Sequence, residues 1–184
     1  MFRKILISCC LLSSVFIAFG QKDKKLKSSL EAPLYFINAE GKKVFYNEIG
    51  APLPELKVWR RDGVFLTDKD LKNDANLIIM LFNPTCEHCE QVGMMLRDNI
   101  GLFKQSKLVL VAAPGMGPYL DYFINNTKTG ATEKMQIGVD TSGLINQTFL
   151  YKSLPQINIY DKERKLQKIF FGIVPVDSLK AYIE

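Results

Sequence analysis

Leu77-Ile78-Ile79-Met80-Leu81-Phe82-Asn83-Pro84-Thr85-Cys86-Glu87-His88-Cys89 decides the fold of this 184-residue chain. The six apolar residues run without polar alternation, the pattern of a central strand covered on both faces. Asn83-Pro84-Thr85 breaks the strand. From Cys86 onward the period changes: Cys89, Val92, Gly93 and Leu96 fall on one face of a helix. A buried strand therefore gives way, through a short turn, to a helix that starts at a C-x-x-C pair.

Working outward, Leu34 to Asn38 and Val44 to Asn47 are short β-prone runs around Glu40-Gly41 and read as a hairpin. Gly50-Ala51-Pro52-Leu53-Pro54 punctuates the chain. Leu56 to Arg60 reads as a strand, Asp62-Gly63 as a turn, and Thr67 to Leu71 as a capped short helix. Downstream, Lys107 to Ala113 is a second buried strand and Tyr119 to Asn126 a helix. Gln136 to Val139 is a strand and Ser142 to Tyr151 is helix-like. Ile157 to Tyr160 and Lys168 to Phe171 are two strands around a charged turn, and Val176 to Glu184 is an amphipathic helix. Strands alternating with helices, then a hairpin and a last helix, predict an α/β layered domain with an N-terminal hairpin added to it.

Composition sets the outer limits. Hydrophobic residues make up 47% and charged residues 23%, which is ordinary for a folded domain and argues against a largely disordered chain. The net charge of +5 includes Arg3 and Lys4 at the extreme N-terminus; the remaining 22 basic and 19 acidic residues are too nearly balanced for a nucleic-acid surface. Residues 1–20 read as a secretory signal peptide: Arg3 and Lys4, then an apolar Ile5 to Phe19, then Ala18-Phe19-Gly20 before a cut. The periplasm is the expected compartment; a retained leader anchoring the protein to the inner membrane, facing the periplasm, is the alternative. Residues 21–49 form a Lys-rich linker and the hairpin extension, and residues 50–184 the main domain.

Of the four cysteines, Cys9 and Cys10 lie in the leader, so the exported part has only Cys86 and Cys89. One pair spaced C-x-x-C cannot be a disulfide framework that holds a small fold together. At a helix N-terminus, free backbone N–H groups and the macrodipole favour a thiolate at Cys86. The thiolate is the attacking species in disulfide exchange, and Cys89, one turn later, is placed to resolve a mixed disulfide. Of the intervening residues, His88 can add positive charge or a donor near the Cys86 sulfur and make the pair more oxidising, whereas Glu87 pushes the other way. Metal binding lacks ligands, since His88 is the sole histidine and there is no second C-x-x-C. Glu90 stands where haem attachment needs His. No cofactor is expected. Leu154-Pro155 precedes the Ile157 to Tyr160 strand; X–Pro bonds are mostly trans, so the residues alone favour trans there.

The buried strand, Cys86-Glu87-His88-Cys89, the helix, and Leu154-Pro155 before a hairpin together resemble the thioredoxin superfamily. Gly50-Ala51-Pro52-Leu53-Pro54, Asp62-Gly63, Leu71 and the Leu77 strand are similar to its TlpA/ResA-type branch of exported thiol-disulfide oxidoreductases. The resemblance covers about residues 50 to 184 and implies a thioredoxin-like α/β fold, a central mixed β-sheet flanked by helices. It implies that Cys86 is the nucleophile and Cys89 the resolving cysteine. It also implies that Pro155 is a cis-proline facing the pair, with the Leu154 backbone offered to a substrate strand. Gly172 looks like the glycine after the last strand. The partners implied are exported protein thiols or disulfides and a membrane redox partner that resets the pair. Two departures stand out: Thr85 precedes Cys86 where typical thioredoxins carry Trp, and Met80 takes the position of a buried Asp. A reductase is the expected direction. The other readings are a thiol oxidase of the DsbA type, a peroxidase with Thr85 beside Cys86, and a copper-handling thioredoxin-like protein.

Overall fold

The computed structural model describes residues 35–131, 134–143, 145, 148–149 and 152–183; the leader, most of the linker and parts of the 142–151 segment lie outside them. Two sheets are present among the described residues. A two-stranded hairpin pairs β1 (Tyr35–Ile37) antiparallel with β2 (Lys43–Phe45). The main sheet has seven strands: β3 (Lys57–Arg60), β4 (Phe65–Thr67), β5 (Leu77–Phe82), β6 (Lys107–Ala112), β7 (Met135–Asp140), β8 (Gln156–Tyr160) and β9 (Leu166–Phe171). Their order is β4-β3-β7-β6-β5-β8-β9. Strands β5, β6 and β7 are mutually parallel neighbours, while β3–β7, β3–β4, β5–β8 and β8–β9 are antiparallel. The sheet is mixed, with the apolar run as an interior strand between β6 and β8.

All six residues of β5 are buried. Ile78, Met80 and Phe82 point into one core; Leu77, Ile79 and Leu81 point into the other. Each such side chain contributes about 2 kcal/mol of burial, which anchors β5 firmly between the two cores. The first core is roofed by α1 (Glu87–Asp98) and α2 (Leu120–Thr127) and closed by α3 (Val176–Leu179). The buried face of α1 is Cys89, Val92, Gly93 and Leu96, the four residues that the periodicity places together. Gly93 lets α2 approach, since a Cβ there would lie 2.8 Å from the Phe123 ring. That ring in turn packs on Phe82 at 4.4 Å between centroids. The second core takes Ile145 and Phe149 from the segment after β7, together with Leu56, Leu71 and Tyr160. It also takes a polar row from β8: Gln156 and Asn158 are buried and share a 2.8 Å hydrogen bond. Burial pushes the Tyr160 hydroxyl pKa up.

Two elements differ from the sequence expectation. Thr67 to Leu71 is not a helix but the end of β4 and a single turn. Its capping signal is genuine: Thr67 N–H and Oγ1 donate to Asp70 at 2.9 and 2.7 Å. The turn goes no further because Leu71 is drawn into the core, and Arg164 takes the following chain. Its guanidinium donates to the carbonyl oxygens of Leu71, Ala75 and Asp161 and to Asn73 Oδ1. Val176 to Glu184 is likewise shorter than one helix. After α3 the chain tightens into a 3₁₀ turn over Lys180–Tyr182. That turn sets the Tyr182 ring against Phe170 and its carbonyl on Asn76 Nδ2 at 2.9 Å. In both places tertiary contacts override local helical preference.

Candidate functional site

The site forms where β5 ends. Asn83 builds the turn: its Oδ1 accepts from the Thr85 N–H and the Thr85 hydroxyl, both at 3.0 Å, and its carbonyl accepts from the Cys86 N–H at 3.1 Å. This Asx turn delivers Cys86 to the N-cap of α1 with extended backbone (φ −97°, ψ 119°). There the Cys86 carbonyl accepts the Glu90 N–H at 3.0 Å, and its Sγ accepts the Cys89 N–H at 3.4 Å. The cysteine sulfur thus stands where a Ser or Asp side chain ordinarily caps a helix.

The two sulfurs differ in exposure. Cys86 is partly exposed; Cys89 is fully buried among Val92, Leu96 and Met80, and both are free. Burial pushes the Cys89 thiol pKa well up. Its hydrogen bond with Cys86 and the nearby negative charges of Cys86 and Glu90 add to the shift, and the Asn83 backbone partly offsets it. Cys89 is therefore a protonated thiol at neutral pH, and Cys86 is the sulfur that a substrate can reach.

The remaining sequence-predicted residues fall as follows. Glu87 is exposed and accepts from Gln91 Nε2 at 3.3 Å, one turn along the helix. His88 is exposed and, among the described residues, makes no hydrogen bond or ion pair; the hydrogen bond at the Cys86 sulfur comes from the Cys89 backbone instead. The Leu154–Pro155 peptide is cis. Strand register pairs Leu81 with Gln156, so Pro155 stands beside the end of β5 that leads to Cys86. Pro155 is buried, Leu154 is half-buried and packs on both cores, and the Pro155 carbonyl accepts the Gly172 N–H at 2.8 Å. Among the described residues no group of three or more His, Cys, Asp or Glu side chains is placed to hold a metal ion.

Sequence reasoning missed two residues. In the sequence Asn83 stands out only as a strand breaker, although Asn-Pro is itself a signal for turn initiation. Glu90 speaks in the sequence only against haem attachment, yet it is half-buried and lies on the Cys86 face of α1. Asn83→Ala removes two hydrogen bonds from the turn. The expected cost is about 1–2 kcal/mol in urea unfolding, with slower alkylation of Cys86 relative to the unfolded chain. An unchanged midpoint and an unchanged alkylation rate would show that Pro84 alone holds the turn.

No family model matches the sequence, and no curated protein matches it. Solved structures do resemble the fold. The thioredoxin domain of a thiol-disulfide oxidoreductase from Bacteroides vulgatus superposes with a TM-score of 0.60 at 14% identity, covering 73% of this chain and 94% of that one. StoA from Bacillus subtilis gives 0.57 at 14% identity, over 72% of this chain and 98% of that one. A secreted Mycobacterium tuberculosis disulfide oxidoreductase, described as homologous to E. coli DsbE, gives 0.57 at 12% identity, over 68% and 92%. The chain has a thioredoxin-like fold.

Proposed function

We propose that this protein is an exported thiol-disulfide oxidoreductase working through Cys86 and Cys89 as a reductase of protein disulfides. The observation that carries the reading is the asymmetry of the pair: one reachable sulfur at a helix N-cap, one protonated and sealed beneath it. In the first step the Cys86 thiolate attacks one sulfur of a substrate disulfide. A Cys86–substrate disulfide forms, and the other substrate sulfur leaves as a thiolate that takes a proton from water. In the second step Cys89 gives up its proton and attacks the Cys86 sulfur. The Cys86–Cys89 disulfide forms and the second substrate thiolate leaves. The substrate gains two electrons and two protons, and the oxidised protein is reset by a dithiol donor at the membrane.

Export rests on the leader at residues 1–20 and accords with a secreted structural relative. The reductase direction is supported by His88, which makes no contact that would hold the Cys86 thiolate, and by Glu87 on the same exposed turn. Leu154, beside the cis Pro155, offers its backbone to the substrate chain in this reading. Equilibration with glutathione tests the direction. The expected reduction potential is near about −270 mV; a value near about −120 mV would overturn the reductase and leave an oxidase.

A further inference from the structure

Trp59 is the sole tryptophan of the chain, and it is 38% exposed on β3. Pairing registers place it on a row that crosses the sheet: Phe65 opposite Trp59, Trp59 opposite Val139, Val139 opposite Ala112, Ala112 opposite Phe82. Directly paired residues share a face, and Phe82, Ala112 and Val139 all belong to the core beneath α1. Trp59 therefore lies on the same face of the sheet as the C-x-x-C helix and at the same end, level with the residue four before Cys86. Three strand spacings separate β5 from β3, about 14 Å.

Two further exposed aromatic residues lie on segments that adjoin Trp59: Phe65 on its paired strand, and Tyr119 two residues after Gly117. Phe65 is 47% exposed on the edge strand β4, and Tyr119 is 49% exposed just before α2. Gly117, in the loop after β6, lies against the indole, with a Cβ position 3.8 Å from Trp59 Cζ3. Met116 of that loop packs on the same core as Cys86. Arg61 pairs with Asp121 of α2 at 2.7 Å, and Lys57 sits 4.8 Å from the Phe65 ring centre, so charges rim the patch. Exposed aromatic side chains inside a charged rim are the composition of a contact surface.

We infer that Trp59, Phe65 and Tyr119 form a docking surface for the polypeptide whose disulfide reacts at Cys86, and that it receives an apolar or aromatic side chain. The inference rests on the exchange reaction proposed above. The spacing sets the reach: an extended chain advances about 3.3 Å per residue, so the docked side chain stands about four to six residues from the reacting cysteine. Trp59 would act by substrate positioning, without touching the sulfurs.

The test uses pairs of synthetic peptide disulfides that differ only in Phe or Ser five residues from the reacting cysteine, on either side, with single-turnover oxidation of the reduced protein as readout. The wild type is expected to prefer Phe over Ser at least about fivefold from one side. Trp59→Ala is expected to bring that preference below about twofold, and Trp59→Phe to keep most of it. Each preference is a ratio within one variant, so loss of folded protein cannot imitate the result. A wild type without preference, or a Trp59→Ala variant that keeps it, overturns the inference and leaves the exchange reading standing. No reaction with any disulfide would sink both. A concentration-dependent dimer that Trp59→Ala dissociates would assign the patch to a second copy of the chain and overturn it as well.

Discussion

Cys86→Ser is expected to abolish disulfide exchange, by at least about 10³-fold, while Cys89→Ser leaves the first step intact and stops the second. The asymmetry follows from burial. Cys86 is the sulfur open to solvent, whereas Cys89 is fully buried beneath it. In the Cys89→Ser protein the mixed disulfide has no internal attacker and accumulates, one substrate chain per protein, on Cys86. Non-reducing electrophoresis and mass spectrometry read this directly. Equal loss in the two variants, or trapped substrate on Cys89 in the Cys86→Ser protein, would overturn the assignment of roles. The wild-type second step carries its own pH signature. Burial, the largest cause of the raised Cys89 pKa, persists when Cys86 is tied up in a mixed disulfide. For an acid whose pKa is raised, the thiolate fraction below that pKa grows about tenfold per pH unit. Decay of the mixed disulfide is therefore expected to speed up steadily from pH 7 to beyond the ordinary cysteine pKa of about 8.5. A plateau below that point would mean that Cys89 is not the sealed thiol described here.

The strand-to-helix junction was legible in sequence because two periodicities meet there. Six apolar residues bounded by Asn83-Pro84 fit a strand buried on both faces, and Cys89, Val92, Gly93 and Leu96 at helical spacing fit one buried helix face. The order of strands was not legible at that level. Nothing local in Val58 to Arg60 tells that β3 pairs with β7, some eighty residues later. The errors have one cause. Thr67 with Asp70 and the Val176 run both carry sound helical signals, yet Arg164 and Asn76, each distant in sequence, hold the chain where each turn ends. At the site, residue types announced the reacting sulfurs. The way Asn83 aims them depends on one side chain bending back to its own turn, which a strand-breaker reading hides. The apolar row from Phe65 through Trp59 to Phe82 was invisible for the same reason as the strand order, since it exists only once four pairings are known.

Gly138→Ala is expected to be the most damaging small substitution outside the cysteines. Gly138 lies in β7 opposite Arg60 of β3. A Cβ there would stand 2.5 Å from the Trp59 carbonyl oxygen and 2.6 Å from Val58 Cγ1. The first of these is backbone inside a hydrogen-bonded ladder, so no rotamer change relieves it; β3 must move away from β7. Overpacking of this kind costs about 3 kcal/mol, to be read as a lowered midpoint in urea unfolding. Gly93→Ala is the natural comparison. Its Cβ would meet only the tip of the Phe123 ring at 2.8 Å, a side chain that can tilt, and the alanine gains about 0.5–1 kcal/mol of helix preference over glycine. Its net loss is expected to be smaller than that of Gly138→Ala. Because β3 carries Trp59, the Gly138→Ala protein that still folds should also show a shifted tryptophan emission, whereas the Gly93→Ala protein should not. If Gly138→Ala unfolds within about 1 kcal/mol of the wild type with its emission unchanged, then β3 is free to slide on β7. The row that links Trp59 to the site would then not be rigid.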